Sequence, residues 1–522
     1  MGNRGNRRTL TRRGFLRMSA GLTAGLGGAS LLARPARGAA TPTTVTFCLG
    51  ADLNTTQPHL DTSRQGSNTL RHVTETLVER DDDLNIVPLL ATSWRRINPT
   101  TVEFKLRENV KFHNGRPLAG EDVKFSLERM VDKSLKLLTR TMVATISRVD
   151  VVDRGTVRVV TEMPDPVLLS RLAYPGAVVI PAETFKSQGA ETFSRKPIGT
   201  GPFTFVEWVK DDHLTMDANP TYWDGRPKID RLVYKPILEA ATRLAALKTG
   251  AVDLIANVEP EQVRDIQSDP NLRIARARSA RIMFVGLNSF RKPFDDVRVR
   301  QAMNYAVDVD VIIKELMSGF AHRLPTIVGP AYFGYDPAQK PYPYDPAKAK
   351  ALLAQAGYPN GFEVPFHTPK GRYLMDAEIA QAVSGYLAKV GVRAKVEVME
   401  WGNFIARVFD AKNAENRFTM FLIGYGNPIL DTDDLLGAYL DSKRRGLYYN
   451  DPTLDALIVR GQVTTQPEAR LKIYREIQTS VREIAPWIFL FNPEDVFGVS
   501  KRLAAWKARG DETVYLGKTA VQ

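Results

Sequence analysis

Asp376-Ala377-Glu378-Ile379-Ala380-Gln381-Ala382-Val383-Ser384-Gly385-Tyr386-Leu387-Ala388-Lys389-Val390-Gly391 runs straight into Val392-Arg393-Ala394-Lys395-Val396-Glu397-Val398. In the first part Ile379, Val383, Leu387 and Val390 recur at spacings of four and three, which places them on one face of a helix. Gly391 supplies the stop, because glycine accepts the left-handed backbone in which many helices end. The second part alternates apolar and charged residues with period two, the pattern of a half-buried strand. The spacing therefore predicts a helix over 376–390 and a strand over 392–398.

The same unit recurs on both sides of it. Asp295-Asp296 precedes Val299, Ala302, Met303 and Ala306, again one helical face. Asp345-Pro346 places a capping carboxylate before a proline at the first helical position, Leu352, Leu353 and Ala356 give the apolar face, and Gly357 ends the helix. Residues 467–483 repeat the period through Leu471, Tyr474, Ile477 and Val481. Toward the amino end, Val45-Thr46-Phe47-Cys48-Leu49 reads as a short apolar strand and Thr101-Val102-Glu103-Phe104-Lys105-Leu106 as an alternating one. Gly120-Glu121-Asp122 opens a helix with Val123, Leu127 and Met130 on one side. Arg231-Leu232-Val233-Tyr234 is a strand, residues 240–249 a helix ended by Gly250, and Val252-Asp253-Leu254-Ile255 a further strand. Helix, glycine and strand in repetition is α/β organisation with mixed sheets flanked by helices.

The first forty residues follow a different grammar. Thr11-Arg12-Arg13-Gly14-Phe15-Leu16-Arg17 joins a mild Gly- and Ala-rich stretch at 18–33, too short to span a bilayer. This is the order of a twin-arginine export signal, expected to be cleaved after Gly38 or Ala40. The alternative, a basic arm for nucleic acid, does not account for the charged, apolar and small-residue regions in sequence. The expectation is an exported, periplasmic protein.

Export also reinterprets the charge. The chain has 71 Lys and Arg against 58 Asp and Glu, a formal +13; eight arginines lie in residues 1–40, which leaves +5 beyond them. That near balance gives no case for nucleic acid. No later segment carries eighteen consecutive apolar residues. The single cysteine, Cys48, forbids an internal disulfide framework, and bulky Phe47 before it argues against lipid attachment. A length of about 480 residues beyond the signal calls for several domains, and no Pro/Ser/Gly linker separates them.

Several blocks now resemble, in order, a family 5 extracellular solute-binding protein, the group of periplasmic dipeptide, oligopeptide, nickel and opine receptors for ABC importers. They are Leu77-Val78-Glu79 with Ile86-Val87-Pro88-Leu89-Leu90-Ala91-Thr92-Ser93-Trp94; Phe104, Asn114-Gly115-Arg116-Pro117 and Glu121-Asp122-Val123; and Pro197-Ile198-Gly199-Thr200-Gly201-Pro202-Phe203. Asn219-Pro220-Thr221-Tyr222-Trp223, Leu287-Asn288 with Phe294-Asp295-Asp296-Val297-Arg298-Val299-Arg300-Gln301-Ala302, and Tyr448-Tyr449-Asn450-Asp451-Pro452 complete the series. The resemblance implies a two-lobed type II binding-protein fold with an extra subdomain inserted in the first lobe. It sets lobe I at 41–285 and 490–522, the insert near 63–185, and lobe II at 286–489. It implies a monomer that captures a peptide, opine or oligosaccharide between its lobes and delivers it to permease subunits, with no cofactor, no metal and no catalytic residue.

Candidate ligand contacts follow from the same resemblance. They are Asp61, Thr62 and Ser63 in the turn after the first strand, and Lys370, Arg372 and Tyr373 in the loop before the 376–390 helix. Trp401 and Tyr425 are candidate aromatic walls, and Gly426 and Asn427 continue the second of these. A guanidinium at Arg372 suits a carboxylate through two parallel hydrogen bonds; the plainer reading makes Arg372 a solvated or helix-capping residue near the start of the 376–390 helix and Trp401 core packing. One departure stands out. Where peptide receptors of this type carry an aspartate for the ligand ammonium, this chain has Pro428, which offers neither charge nor donor. Asp431, Asp433 and Asp434 follow, as expected for the cap of the next helix. Uncharged or anionic solutes are thereby favoured.

The rival class is an exported hydrolase of peptides or glycans. The sequence holds no HExxH, no G-x-S-x-G, and six scattered histidines without metal-ligand spacing. Gly517-Lys518-Thr519 resembles the end of a phosphate-binding loop, but Glu512 occupies the place of its first glycine.

Overall fold

A computed structural model of the protein describes residues 42–522, apart from 62, 138, 427, 428 and 445–447. The expected export signal, Thr62, Asn427 and Pro428 lie outside the described residues.

The helix predicted over 376–390 spans Asp376–Ala388, with Ile379, Val383 and Leu387 buried. Gly391 follows with φ +90°, and the strand runs Val392–Met399. That strand pairs in parallel with Phe362–Pro369, from Phe362 opposite Val392 to Pro369 opposite Met399. A parallel pair needs a crossover, and the 376–388 helix is that crossover. Phe362–Pro369 in turn pairs in parallel with Met420–Tyr425. Met420–Tyr425 lies antiparallel to Ile282–Leu287, every residue of which is buried.

The sheet is continued by one 14-residue strand, Trp487–Ser500. Its first part pairs antiparallel with Ile282–Leu287, from Trp487 opposite Gly286 to Phe491 opposite Met283. Its second part pairs antiparallel with Leu272–Arg278, from Glu494 opposite Arg278 to Ser500 opposite Leu272. Beyond it come Leu254–Ile255, Thr44–Leu49, Arg231–Pro236, His213–Ala218 and Phe203–Val209. Thr44–Leu49 runs parallel to both of its neighbours, and the last three strands are antiparallel. A separate four-stranded antiparallel sheet, Ala91–Asn98, Thr101–Leu106, Thr156–Thr161 and Ile146–Asp153, is covered by the helix Gly120–Val131.

The apolar side chains divide in the same way. Phe284, Phe366, Leu422, Tyr439 and Trp487 share one large core. Phe47, Phe203, Tyr234 and Phe497 share a second, and Phe104, Phe112, Leu127 and Met130 a third. Cys48 is buried in its strand, as read from the sequence.

Three helix starts separate local from tertiary control. Asp345 caps Pro346–Gln355 by accepting from the Lys348 N–H at 2.8 Å. Asp296 does the same for Val297–Ala306 through the Arg298 N–H. Asp376 behaves differently: it is the first helical residue, and its carboxylate turns back to the preceding loop. The strand expected at 252–255 is reduced to Leu254–Ile255, because the Asp253 carboxylate is taken by the Thr46 N–H at 2.8 Å and by Arg502 at 3.2 Å.

Candidate functional site

The chain crosses between the two large cores twice in adjacent places, at residues 278–282 and within the long strand at 491–494. Both crossings are stitched together. The Ser279 N–H donates to the Pro493 carbonyl at 2.9 Å, and Asn492 donates through Nδ2 to the Arg281 carbonyl at 2.8 Å. The Ala280 N–H donates to Gly510, which brings the carboxyl-terminal stretch alongside. A small cleft opens here, lined by Arg64, Arg281, Gly426, Asp511 and Glu512.

Two guanidinium groups, Arg64 and Arg281, line that cavity, and a third, Arg372, lies near Arg281. Arg281 donates to one oxygen of Glu512 from Nε at 3.0 Å and Nη2 at 2.6 Å. Arg64 approaches the other oxygen at 3.2 Å and donates to the Asp511 carbonyl at 2.7 Å. Burial pushes the Glu512 carboxyl up, but Arg281 and Arg64 outweigh it and hold the group below the usual carboxylate range. Asp495, on the long strand, has the opposite fate: burial, then the Glu512 charge, pushes its carboxyl well up. Arg372 is the third cation. Its side chain is exposed, and among the described residues it meets no carboxylate; it lies over the rings of Tyr373 and Trp401, 5.0 and 5.1 Å from their centroids. Desolvation, then Arg281, draws its pKa below the ordinary guanidinium value.

The local sequence explains how Arg372 is held. Asp376 accepts from the backbone N–H groups of Gly371, Arg372 and Tyr373 at 3.1, 2.9 and 3.0 Å, folding the loop into a tight cradle. Tyr373 is buried and donates its hydroxyl to the Gly424 carbonyl at 2.8 Å, tying that loop to the strand ending at Tyr425. Arg281 lies over the same ring at 5.4 Å. Trp401 opens the helix Trp401–Val408, packs on Phe404, and meets Tyr373 edge to face at 6.0 Å. Tyr373, Trp401 and Arg372 thus form one stacked cluster, and Gly426 lines the cavity beside Arg281.

The other expected contacts are engaged elsewhere. Asp61 is buried and accepts from Ser63 N–H at 2.6 Å and Asn54 N–H at 3.3 Å. Ser63 caps Arg64–Leu70 by accepting from Gly66 N–H at 3.0 Å. Lys370 is exposed at the end of its strand. Tyr425 donates its hydroxyl to Asp434 and rests edge-on against Tyr439. Each acid after the Tyr425 loop has a partner: Asp431 is bound by Arg470 at 2.6 and 2.7 Å, Asp433 by Arg444 at 2.8 and 3.0 Å, and Asp434 by Tyr425. Burial pushes the Asp434 carboxyl up. None of the three presents an unengaged carboxylate to the cavity.

With this geometry in place, the chain can be set beside known proteins. Residues 85–446 match the family model of bacterial extracellular solute-binding proteins, family 5 Middle. The chain belongs to that family. It is 31% identical over 438 residues to heme-binding protein A of Haemophilus influenzae, covering 77% of this chain and 78% of that one. It is 29% identical to the glutathione-binding protein GsiB of Pectobacterium atrosepticum, covering 83% and 85%. Among solved structures, the binding protein AgaA from A. tumefaciens R10, in complex with agropinic acid, superposes with a TM-score of 0.77 at 29% identity, covering 92% of this chain and 99% of that one. The fold is the two-lobed type II binding-protein fold, and the protein is a solute-binding protein of family 5.

Sequence reading missed Arg64, Arg281 and Glu512. Arg281 sits between two strands with no motif around it, and its partner is 231 residues away. The one signal was Asp511-Glu512 following Gly510: a pair of acids in a carboxyl-terminal stretch that is otherwise basic.

Proposed function

We propose that this family 5 protein is an exported receptor that captures a small carboxylate-bearing solute between its lobes and passes it to the permease of an ABC importer. The observation that carries the reading is Arg372: an accessible guanidinium, stacked on Trp401 and Tyr373, without an acid partner among the described residues. Such a group recognises a carboxylate through two parallel hydrogen bonds. The engagement of Asp431, Asp433 and Asp434 supports the second half of the reading, that no free α-ammonium is required. Glutathione and agropinic acid, named for the similar proteins, both carry carboxylates. Lys370, Tyr373, Trp401, Tyr425, Gly426 and Asn427 are proposed as the remaining wall of the site, with Asp61, Thr62 and Ser63 shaping the loop opposite.

The lobes are proposed at 41–285 with 490–522 and at 286–489, with the insert near 63–185; the separate cores and the shared strand Trp487–Ser500 support this division. Export through the twin-arginine route, cleavage after Gly38 or Ala40, a periplasmic monomer without lipid, and binding without turnover complete the proposal.

A thermal-shift screen over free dipeptides, N-acylated peptides, opines, oligosaccharides and nickel chelates tests the solute class, since a ligand of the folded state raises the melting temperature by mass action. Acidic, amine-blocked compounds are expected to give the largest shifts. Preferential stabilisation by free dipeptides or neutral sugars would overturn the reading. Recovery of hydrolysed product from the same mixtures would point to the hydrolase instead. Arg12→Lys with Arg13→Lys is expected to leave precursor in the cytoplasm, and normal accumulation of mature protein outside it would remove the twin-arginine assignment.

A further inference from the structure

We infer that Arg80, seconded by Arg171, is a clasp that holds the two lobes closed. Arg80 ends the strand Val78–Arg80, whose Val78 belongs to the core of the four-stranded sheet. The turn after it is stiffened by Asp81, which accepts from the N–H groups of Asp83 and Asn85 at 3.0 and 2.8 Å. At its tip Leu84, with φ +67°, packs against the large core of the opposite lobe. Arg80 donates through Nη1 to the Leu84 carbonyl at 2.7 Å and through Nη2, across the lobes, to the Ile429 carbonyl at 2.6 Å. One guanidinium therefore fastens its own turn and, across the lobes, the backbone at Ile429.

Arg171 makes the second crossing. It sits on Leu168–Leu172, whose leucines belong to the core of the four-stranded sheet, and its Nη2 lies 3.9 Å from Asp433 of the opposite lobe. Both ends of this contact keep a partner at home. Arg171 holds Asp165 at 3.0 Å, and Asp433 holds Arg444 at 2.8 Å. Opening the lobes strands no charge, so it forfeits only the cross-lobe contacts and the cover over Leu84. A contact that can be lost without a buried unpaired charge is suited to a reversible two-state closure. Arg80 and Arg171 act on the solute through the lobe equilibrium; they are positioning residues.

The experiment uses the full chain with spin labels on Glu191→Cys and Lys395→Cys, exposed sites on the two sides. Cys48 is buried and its thiol is pushed up to about 11, so it does not compete for label. Pulsed dipolar spectroscopy then reads the distance distribution with no added solute. Arg80→Ala is expected to shift the open-to-closed ratio at least about tenfold toward open, the worth of one charge-assisted hydrogen bond. Arg171→Lys, which keeps the charge, is expected to shift it less, and circular dichroism melts of both to stay near the parent. Where Arg80→Ala fails to fold, Arg80→Lys, retaining the charge but not the forked geometry, carries the same expected direction. Identical distributions in parent and variants would overturn the clasp, whether both are open or both closed. The measurement needs no solute, so its failure is independent of the solute class proposed for the cavity.

Discussion

Arg281 grips Glu512 with two donors on a single carboxylate oxygen, at 3.0 and 2.6 Å, while Arg64 holds the other oxygen at 3.2 Å. This pairing joins the crossing between the lobes to the carboxyl-terminal stretch. Glu512→Ala leaves two partly buried guanidinium groups facing each other. The expected loss is about 2–4 kcal/mol, discounted from the fully buried case because the side chains retain some exposure. Urea unfolding of Glu512→Ala and Glu512→Gln measures it, with Gln expected to lose less because it keeps an acceptor.

Arg372 stands in contrast. Exposed and stacked on aromatic rings, it contributes to stability only through cation–π contact, so Arg372→Ala is expected to change unfolding free energy by no more than about 1 kcal/mol. Its effect on an acidic solute is expected to be far larger, about 2–5 kcal/mol by calorimetry, because the carboxylate is left desolvated and unpaired. Undiminished affinity in that variant would assign carboxylate recognition to Arg281.

Asp431 and Arg470 form a pair in which both side chains are nearly fully buried, and Asp431 also caps the helix Thr432–Tyr439. Removing one partner strands the other. Asp431→Ala is expected to cost about 3–5 kcal/mol in chemical denaturation, without changing which solutes bind.

The acid limb of the stability curve is expected to depend on His72. Leu516 N–H donates to its Nε2 at 3.0 Å, and its Nδ1 faces the Thr69 carbonyl at 3.2 Å, so the folded state needs the neutral ring. Burial, then Arg71, pulls its pKa down to about 3. A base whose folded pKa is lowered stabilises fully above its unfolded value of 6.5, and that stability drains away as pH falls toward 3. Glu75 has the opposite sign. Burial pushes it up to about 7 despite hydrogen bonds from Tyr222, Thr200 and Trp223, so its contribution is present below 4.5 and lost as pH rises through 7. Melting temperatures across pH 4–8 are expected to show a shallower acid slope in His72→Gln and a shallower neutral slope in Glu75→Gln.

The glycine-rich turn offers a steric test. A Cβ on Gly199 would lie 2.0 Å from the Val73 carbonyl oxygen, backbone that cannot swing aside. Gly199→Ala is expected to destabilise by about 3 kcal/mol, whereas Gly225→Ala, with open space around its Cβ position, tests only the cost of its φ of +90°.

Local chemistry determined much of this protein in the sequence itself. The period of Ile379, Val383 and Leu387, the stop at Gly391 and the alternation after it fixed a helix, a turn and a strand, because each depends on neighbours within a few residues. Asp345 and Asp296 cap as read, for the same reason. The ordered family blocks carried the two-lobed fold, and Arg372, Tyr373 and Trp401 stack on one another. Tertiary structure alone decided the rest. Asp376 turned from its helix to the loop before it, because three unsatisfied N–H groups lay there. Glu512 met Arg281 and Arg64 only when the strand Trp487–Ser500 brought the carboxyl-terminal stretch to the crossing. Whether an arginine meets no carboxylate among the described residues, as with Arg372, or is already spent, as Arg470 is on Asp431, follows from partners tens to hundreds of residues away, which no local pattern records.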